Sequence, residues 1–143
     1  MVAVHILVVN DTQEVLDLFR DILTDEGYQV STFTYAPIEL ADIRKIQPDM
    51  IIIDCPPVDR EIQGWQLIQK LKMSRDMEHV PLILCTTNLR AITDNQGWLA
   101  TKGILSLPKP FTIDELLAVV GLQLQRLYQG GDSQGNTTRE ANQ

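Results

Sequence analysis

Three short runs, HILVV at 5–9, MIIID at 50–54 and PLILC at 81–85, are apolar at nearly every position and rich in β-branched residues. A strand with one wet face alternates polar and apolar residues. A strand apolar throughout is expected where helices cover both faces of a parallel sheet. The intervening segments supply such helices. Val15, Phe19, Ile22 and Leu23 recur at helical spacing until Gly27. A short helix is predicted over 38–46, begun near Pro37, and another after Gly64, where Trp65, Ile68 and Leu71 stand three apart. Residues 89–100 form a weaker helical segment containing Gly97, and a T-x-x-E capping box at 112–115 opens a last helix predicted to reach about Tyr128. With further strands over 30–34 and 104–107, the chain reads as five rounds of strand then helix. Right-handed crossovers then lead to an α/β, three-layered, doubly wound open sheet.

The bulk properties narrow the function. At 143 residues the chain suits one domain, taken as 1–128, with 129–143 (QGGDSQGNTTREANQ from Gln129) read as a flexible polar tail or a linker. A net charge of −7 argues against a chain that binds nucleic acid by itself. The apolar runs are too short to span a membrane, and no secretory signal opens the chain, so the expected location is cytoplasmic. No DNA-binding or catalytic output domain is recognisable after the sheet pattern, so output is expected through protein contact or a part not present. Cys55 and Cys85 lack metal-ligand spacing, and only His5 and His79 accompany them. Alternation along each strand directs Cys55 away from its neighbour Asp54, and Cys85 away from its neighbour Thr86.

Asp54 poses the chemical question. It ends the most apolar run of the chain, and a buried ionised carboxylate is costly unless paired, hydrogen-bonded or bound to metal. Ligands of open α/β sheets bind beyond the carboxyl ends of the strands. There the pattern gathers Asn10 and Asp11 after the first strand, Asp54 after the third, Thr86 and Thr87 after the fourth, and Lys109 between Pro108 and Pro110 after the fifth. Each has a plainer reading. Asp11 with Glu14 also fits a helix capping box, Thr86 a β-branched strand end, and Lys109 a solvated loop. Their convergence on one rim favours a site.

With ILVVND at the first strand, IIID at the third, PLILCT at the fourth and LPKPF before the last helix, the chain resembles the receiver domains of two-component response regulators over about residues 3–128. The resemblance implies a flavodoxin-like sheet of order 2-1-3-4-5 and a switch operated by phosphorylation. Asp54 would be the phosphoacceptor. Asp11, Asp54 and the backbone carbonyl of Pro56 would hold Mg²⁺. Thr86 and Lys109 would stabilise the phosphoryl group, and the Lys109–Pro110 bond would be cis. A histidine kinase or phosphotransfer protein would be the donor and an unidentified protein the target. Enzymatic activity on other substrates is not implied, beyond self-phosphorylation from a phosphodonor and slow autodephosphorylation.

Departures from the family pattern are equally specific. Asn10 stands in place of an acid, which weakens Mg²⁺ binding by removing charge while leaving an amide to hydrogen-bond. The loop CPPVDREIQG is longer than the usual spacing and has Val58 where a proline is common. Thr87 replaces a small residue and would crowd the phosphoryl group. Ser106 replaces an aromatic that turns inward on activation, so the signal would leave by another rearrangement. Trp98, Ile92, Ile104 and Leu105 lie near the face that relatives use for partners or homodimers, and equally suit half-buried packing positions. The alternative reading is a pseudo-receiver, an interaction module indifferent to phosphorylation. An enzyme on the same fold fits less well: NDTQE is no flavin phosphate loop, and Pro56 stands where an Asp-nucleophile phosphatase carries its second aspartate.

Overall fold

A computed structural model describes residues 3–35 and 38–141, with side chains for all of these except 58 and 128–141. Five parallel strands, β1 (His5–Val9), β2 (Gln29–Phe33), β3 (Met50–Asp54), β4 (Leu82–Thr86) and β5 (Ile104–Pro108), form one sheet of order β2-β1-β3-β4-β5. The expected architecture is observed. Every residue of β3 and β4 is buried, as continuous apolar runs require when both faces are covered. The period of two then sorts their side chains. Leu7, Val9, Ile51, Ile53, Leu82 and Leu84 pack on one face, and Ile6, Val8, Ile52, Ile83 and Cys85 on the other. Each buried isoleucine contributes about 2 kcal/mol of burial.

Helices α1 (Gln13–Asp25) and α6 (Ile113–Ala141) cover the second face through Leu16, Phe19, Leu23, Leu116 and Val120. The first face is covered by α2 (Leu40–Ile46) and α3 (Ile62–Met73), with Ile92 of α4 (Leu89–Asp94) and Leu99 of α5 (Gln96–Thr101) joining the same core. Gly27 follows α1 with φ at 91°, where a side chain would be strained, and its N–H closes on Thr24 O.

Several boundaries differ from expectation. β2 runs one residue earlier than 30–34, because Gln29 N–H pairs with Val4 O. The α2 start falls at Leu40, where Glu39 and Asp42 form a capping box; Pro37 lies outside the described residues. α3 begins before Gly64, at Ile62. The segment expected as one helix over 89–100 is two, broken at Asn95, whose side-chain amide donates to Ala91 O at 2.7 Å. The last helix extends past Tyr128 to Ala141. No proline interrupts residues 129–141, so an established hydrogen-bond ladder can propagate one residue at a time. The Thr112 capping box forms as read, with Glu115 N–H donating to Thr112 Oγ1 and Thr112 N–H to Glu115 Oε1.

Candidate functional site

Strand order reverses between β1 and β3, so the crevice lies where Asn10 and Asp54 leave the sheet. Asn10 Nδ2 donates to Asp54 Oδ2 at 2.5 Å. Its own Oδ1 accepts the Thr12 N–H at 2.8 Å, which fixes the amide with its N–H groups toward the carboxylate. Lys109 arrives from beyond β5. Its backbone N–H donates to Thr86 O at 2.9 Å, carrying the β4–β5 pairing past the strand end, and the bond to Pro110 is cis. Its Nζ stands 2.6 Å from Asp54 Oδ1 and donates to Cys55 O at 3.0 Å. The contact with Oδ1 is charge against charge: that oxygen receives no hydrogen bond of regular geometry among the described residues. Tyr35 OH donates to the Asp54 carbonyl at 3.0 Å, holding the strand end from the β2 side.

Asp54 is only 4% exposed. Burial pushes its carboxyl above the ordinary range, opposed by Lys109 and then by the Asn10 hydrogen bond, while Asp11 adds to the rise. The thiols are protonated neighbours. Burial pushes Cys55 up to about 12 and Cys85 well above the usual thiol range. Both are free and buried, in the cores on opposite faces of the sheet.

The loop after β3 builds the other half of the rim. It passes through buried Pro56 and a 3-10 turn (Val58–Arg60) into α3. Arg60 Nη1 pairs with Asp11 Oδ2 at 2.9 Å. Glu61 Oε1 accepts from Thr86 Oγ1 and its Oε2 from Asn88 Nδ2, each at 2.9 Å. Asn88 N–H donates to Thr86 Oγ1 at 3.0 Å, and Asn88 Oδ1 caps α4 by accepting from Ala91 N–H. Gly64 lets α3 approach: a Cβ there would stand 2.6 Å from Cys55 Sγ and 3.3 Å from Tyr35 OH.

Asp11, Asp54, Thr86 and Lys109 all reach the rim expected of them. Asp11 does not cap α1, whose cap position is Thr12; it faces Arg60 instead. Thr87 is exposed. Ser106 is half-buried and lines a cavity of about 270 Å³ with Ile92, Leu99, Ile104 and Leu105. Arg60, Glu61, Asn88 and Tyr35 were not singled out from the sequence. Asn88 has a signal, a cap-forming residue just before a helical segment, whereas no pattern marks Arg60 or Glu61.

Asp11 and Asp54, with the carbonyl of Pro56, are the groups that the family resemblance would assign to a cation. No cluster of three or more His, Cys, Asp or Glu exists among the described residues. Two carboxylates and a carbonyl suit a hard cation that retains several waters, as Mg²⁺ does. The buried Asp54 carboxylate, with Lys109 at 2.6 Å, and the carboxylate of Asp11, which acts on it through space, form a donor set such a cation fits.

The chain matches the family described as "Response regulator receiver domain" over residues 6–121. It is 34% identical over 124 residues to the transcriptional regulatory protein PcoR of Escherichia coli, covering 85% of this chain and 52% of that protein, so it spans about half the length of that relative. Its fold is similar to the chemotaxis response regulator CheY4 of Vibrio cholerae, with TM-score 0.68 and 26% identity, covering 88% of this chain and 99% of that one. A CheY-like receiver domain protein from Methanospirillum hungatei matches with TM-score 0.73 and 25% identity, covering 90% and 99%.

Proposed function

Because the chain belongs to the response regulator receiver domain family, we propose that it is a phosphorylation-operated switch with Asp54 as the phosphoacceptor. The observation that carries this reading is the placement of Asp54: a buried carboxylate at the strand-order reversal, held by Asn10 and facing the Lys109 ammonium. The donor is a histidine kinase or phosphotransfer protein, and the output is contact with another protein. No helix among the described residues is long and apolar enough to cross a membrane, and the working location is taken as the cytoplasm.

In this reading an oxygen of Asp54 attacks the donor's phosphorus. A bond from phosphorus to that oxygen forms as the bond to the donor breaks, and the leaving group takes a proton from solvent. Lys109 neutralises charge gathering on the phosphoryl oxygens, and the Thr86 hydroxyl donates to one of them. Asn10 keeps the carboxylate oriented without contributing negative charge. Asp11, Asp54 and the Pro56 carbonyl would hold Mg²⁺, which would supply charge neutralisation for the transfer. Beyond taking its own phosphoryl group and slowly losing it, the site has no assigned substrate.

The test is the intact mass after incubation with acetyl phosphate and Mg²⁺. A single phosphoryl adduct, absent with EDTA and in Asp54→Asn, is the expected result. Absence of an adduct together with absence of fluoroberyllate binding would sink the reading.

A further inference from the structure

Phosphoryl chemistry leaves two side chains of the 56–61 loop unexplained. Arg60 lies on Asp11, and Glu61 lies on the Thr86 hydroxyl that a phosphoryl oxygen would use. The Glu61 carboxylate takes both Thr86 Oγ1 and Asn88 Nδ2 at 2.9 Å, one with each oxygen. That is how an anion with several acceptor oxygens would be received. A threonine hydroxyl has one proton and donates to one acceptor at a time. Two anions converging on it also repel each other, the more strongly beside a buried strand end.

We propose that Glu61 is the resident anion of the phosphoryl site, and that a phosphoryl group arriving on Asp54 takes the Thr86 hydroxyl by displacing it. This rests on Asp54 being the phosphoacceptor. Glu61 is a positioning residue: it acts through Thr86 and Asn88, holding both in the arrangement of the unmodified protein.

The consequence extends beyond the site. Glu61 immediately precedes α3, while Asn88 caps α4, so one carboxylate ties the starts of two helices together. None of the six residues of α4 is buried. Only the half-buried Ile92 packs on the core, and an element with so little buried surface is drawn from the low-stability part of the structure. Release of Glu61 removes that tie. The signal therefore leaves through the 56–61 loop and the cap of α4, a route that needs no aromatic ring at Ser106.

The test uses fluoroberyllate with Mg²⁺ as the phosphoryl stand-in, titrated calorimetrically into the full chain, Glu61→Ala and Glu61→Gln. Melting temperatures are recorded so that an unfolded variant is recognised. Glu61→Ala should bind about ten-fold more tightly than the unmodified sequence, with Glu61→Gln between, since the amide keeps shape and loses charge. The amide resonances of Asn88 and Ala91 should move on saturation toward the positions they hold in ligand-free Glu61→Ala. Equal or weaker binding by both folded variants, with binding intact in the unmodified chain, would overturn the proposal and leave Asp54 in its role. If none of the three proteins binds, the phosphoacceptor reading fails and this inference falls with it.

Discussion

The two halves of the rim are held by different means. Asn10, Asp54 and Lys109 stand at or beside strand ends, and their positions follow from a parallel ladder continued past the sheet by Lys109 N–H on Thr86 O. Arg60 and Glu61 ride a loop, and their grip on the rim is through side chains: a partly exposed ion pair and two hydrogen bonds. A pair like Arg60–Asp11, with the guanidinium about half exposed, contributes at most about 1 kcal/mol. In the proposed switch, the strand half supplies the chemistry and the loop half supplies what that chemistry displaces.

The sharpest way to break this division is to push the halves apart at their point of contact. Gly64→Ala places a Cβ 2.6 Å from Cys55 Sγ, and overpacking of this kind is expected to cost about 2 kcal/mol in urea unfolding. Most of that loss should return in a Cys55→Ala background, where the sulfur is gone. An equal loss in both backgrounds would mean that this contact does not set the approach of α3.

Asn10→Asp tests the strand half. A second carboxylate against Asp54 Oδ2 should lower the melting temperature without cation and tighten Mg²⁺ binding about ten-fold by calorimetry. Unchanged affinity would show that charge at position 10 is not what limits the cation.

The third prediction concerns pH. Burial raises the Asp54 carboxyl above its ordinary value of 3.8, so between the two values the folded chain binds more protons than the unfolded one. Stability therefore falls as pH rises through that window. Asp54→Asn should remove the slope and unfold as a more stable protein at neutral pH. Lys109 keeps the Cys55 carbonyl as a partner in that variant. The gain should vanish below pH 3.8 in thermal melts across pH; a gain independent of pH would point to packing instead of ionisation.

The smallest effect belongs to Arg60→Ala. Two cations, Arg60 and Lys109, now face two carboxylates, Asp11 and Asp54. Removing the exposed one should tighten Mg²⁺ binding about three-fold. Weaker binding would instead make Arg60 a supporting part of the cation site.

The same division explains what could be read from residues alone. The buried strands and the convergence of Asp11, Asp54, Thr86 and Lys109 follow from apolar periodicity, because strand ends are placed by the ladder, whereas the sheet order is implied by the family resemblance of four short motifs. Asn10 was legible as a departure, yet the direction of its amide depends on the Thr12 N–H, a local turn with no periodic signature. Glu61 and Arg60 gave no signal because their partners lie 25 and 49 positions away, on Thr86 and Asp11. The break at Asn95 and the helical course of 129–141 were likewise beyond pattern, one set by a single back-bonding side chain and the other by backbone propagation without an apolar face.

Lys109 has a consequence in time as well as in charge. Its backbone N–H is bonded to Thr86 O, its ammonium reaches the Cys55 carbonyl, and Cys55 N–H in turn donates to Cys85 O. Strand ends ordinarily fray, but these three are closed on one another. Their amide hydrogens should exchange with solvent at the pace of the buried sheet, by global opening, while those at the start of α4 exchange through far smaller local openings. The residue that answers the charge of Asp54 also sets the lifetime of the platform on which it stands.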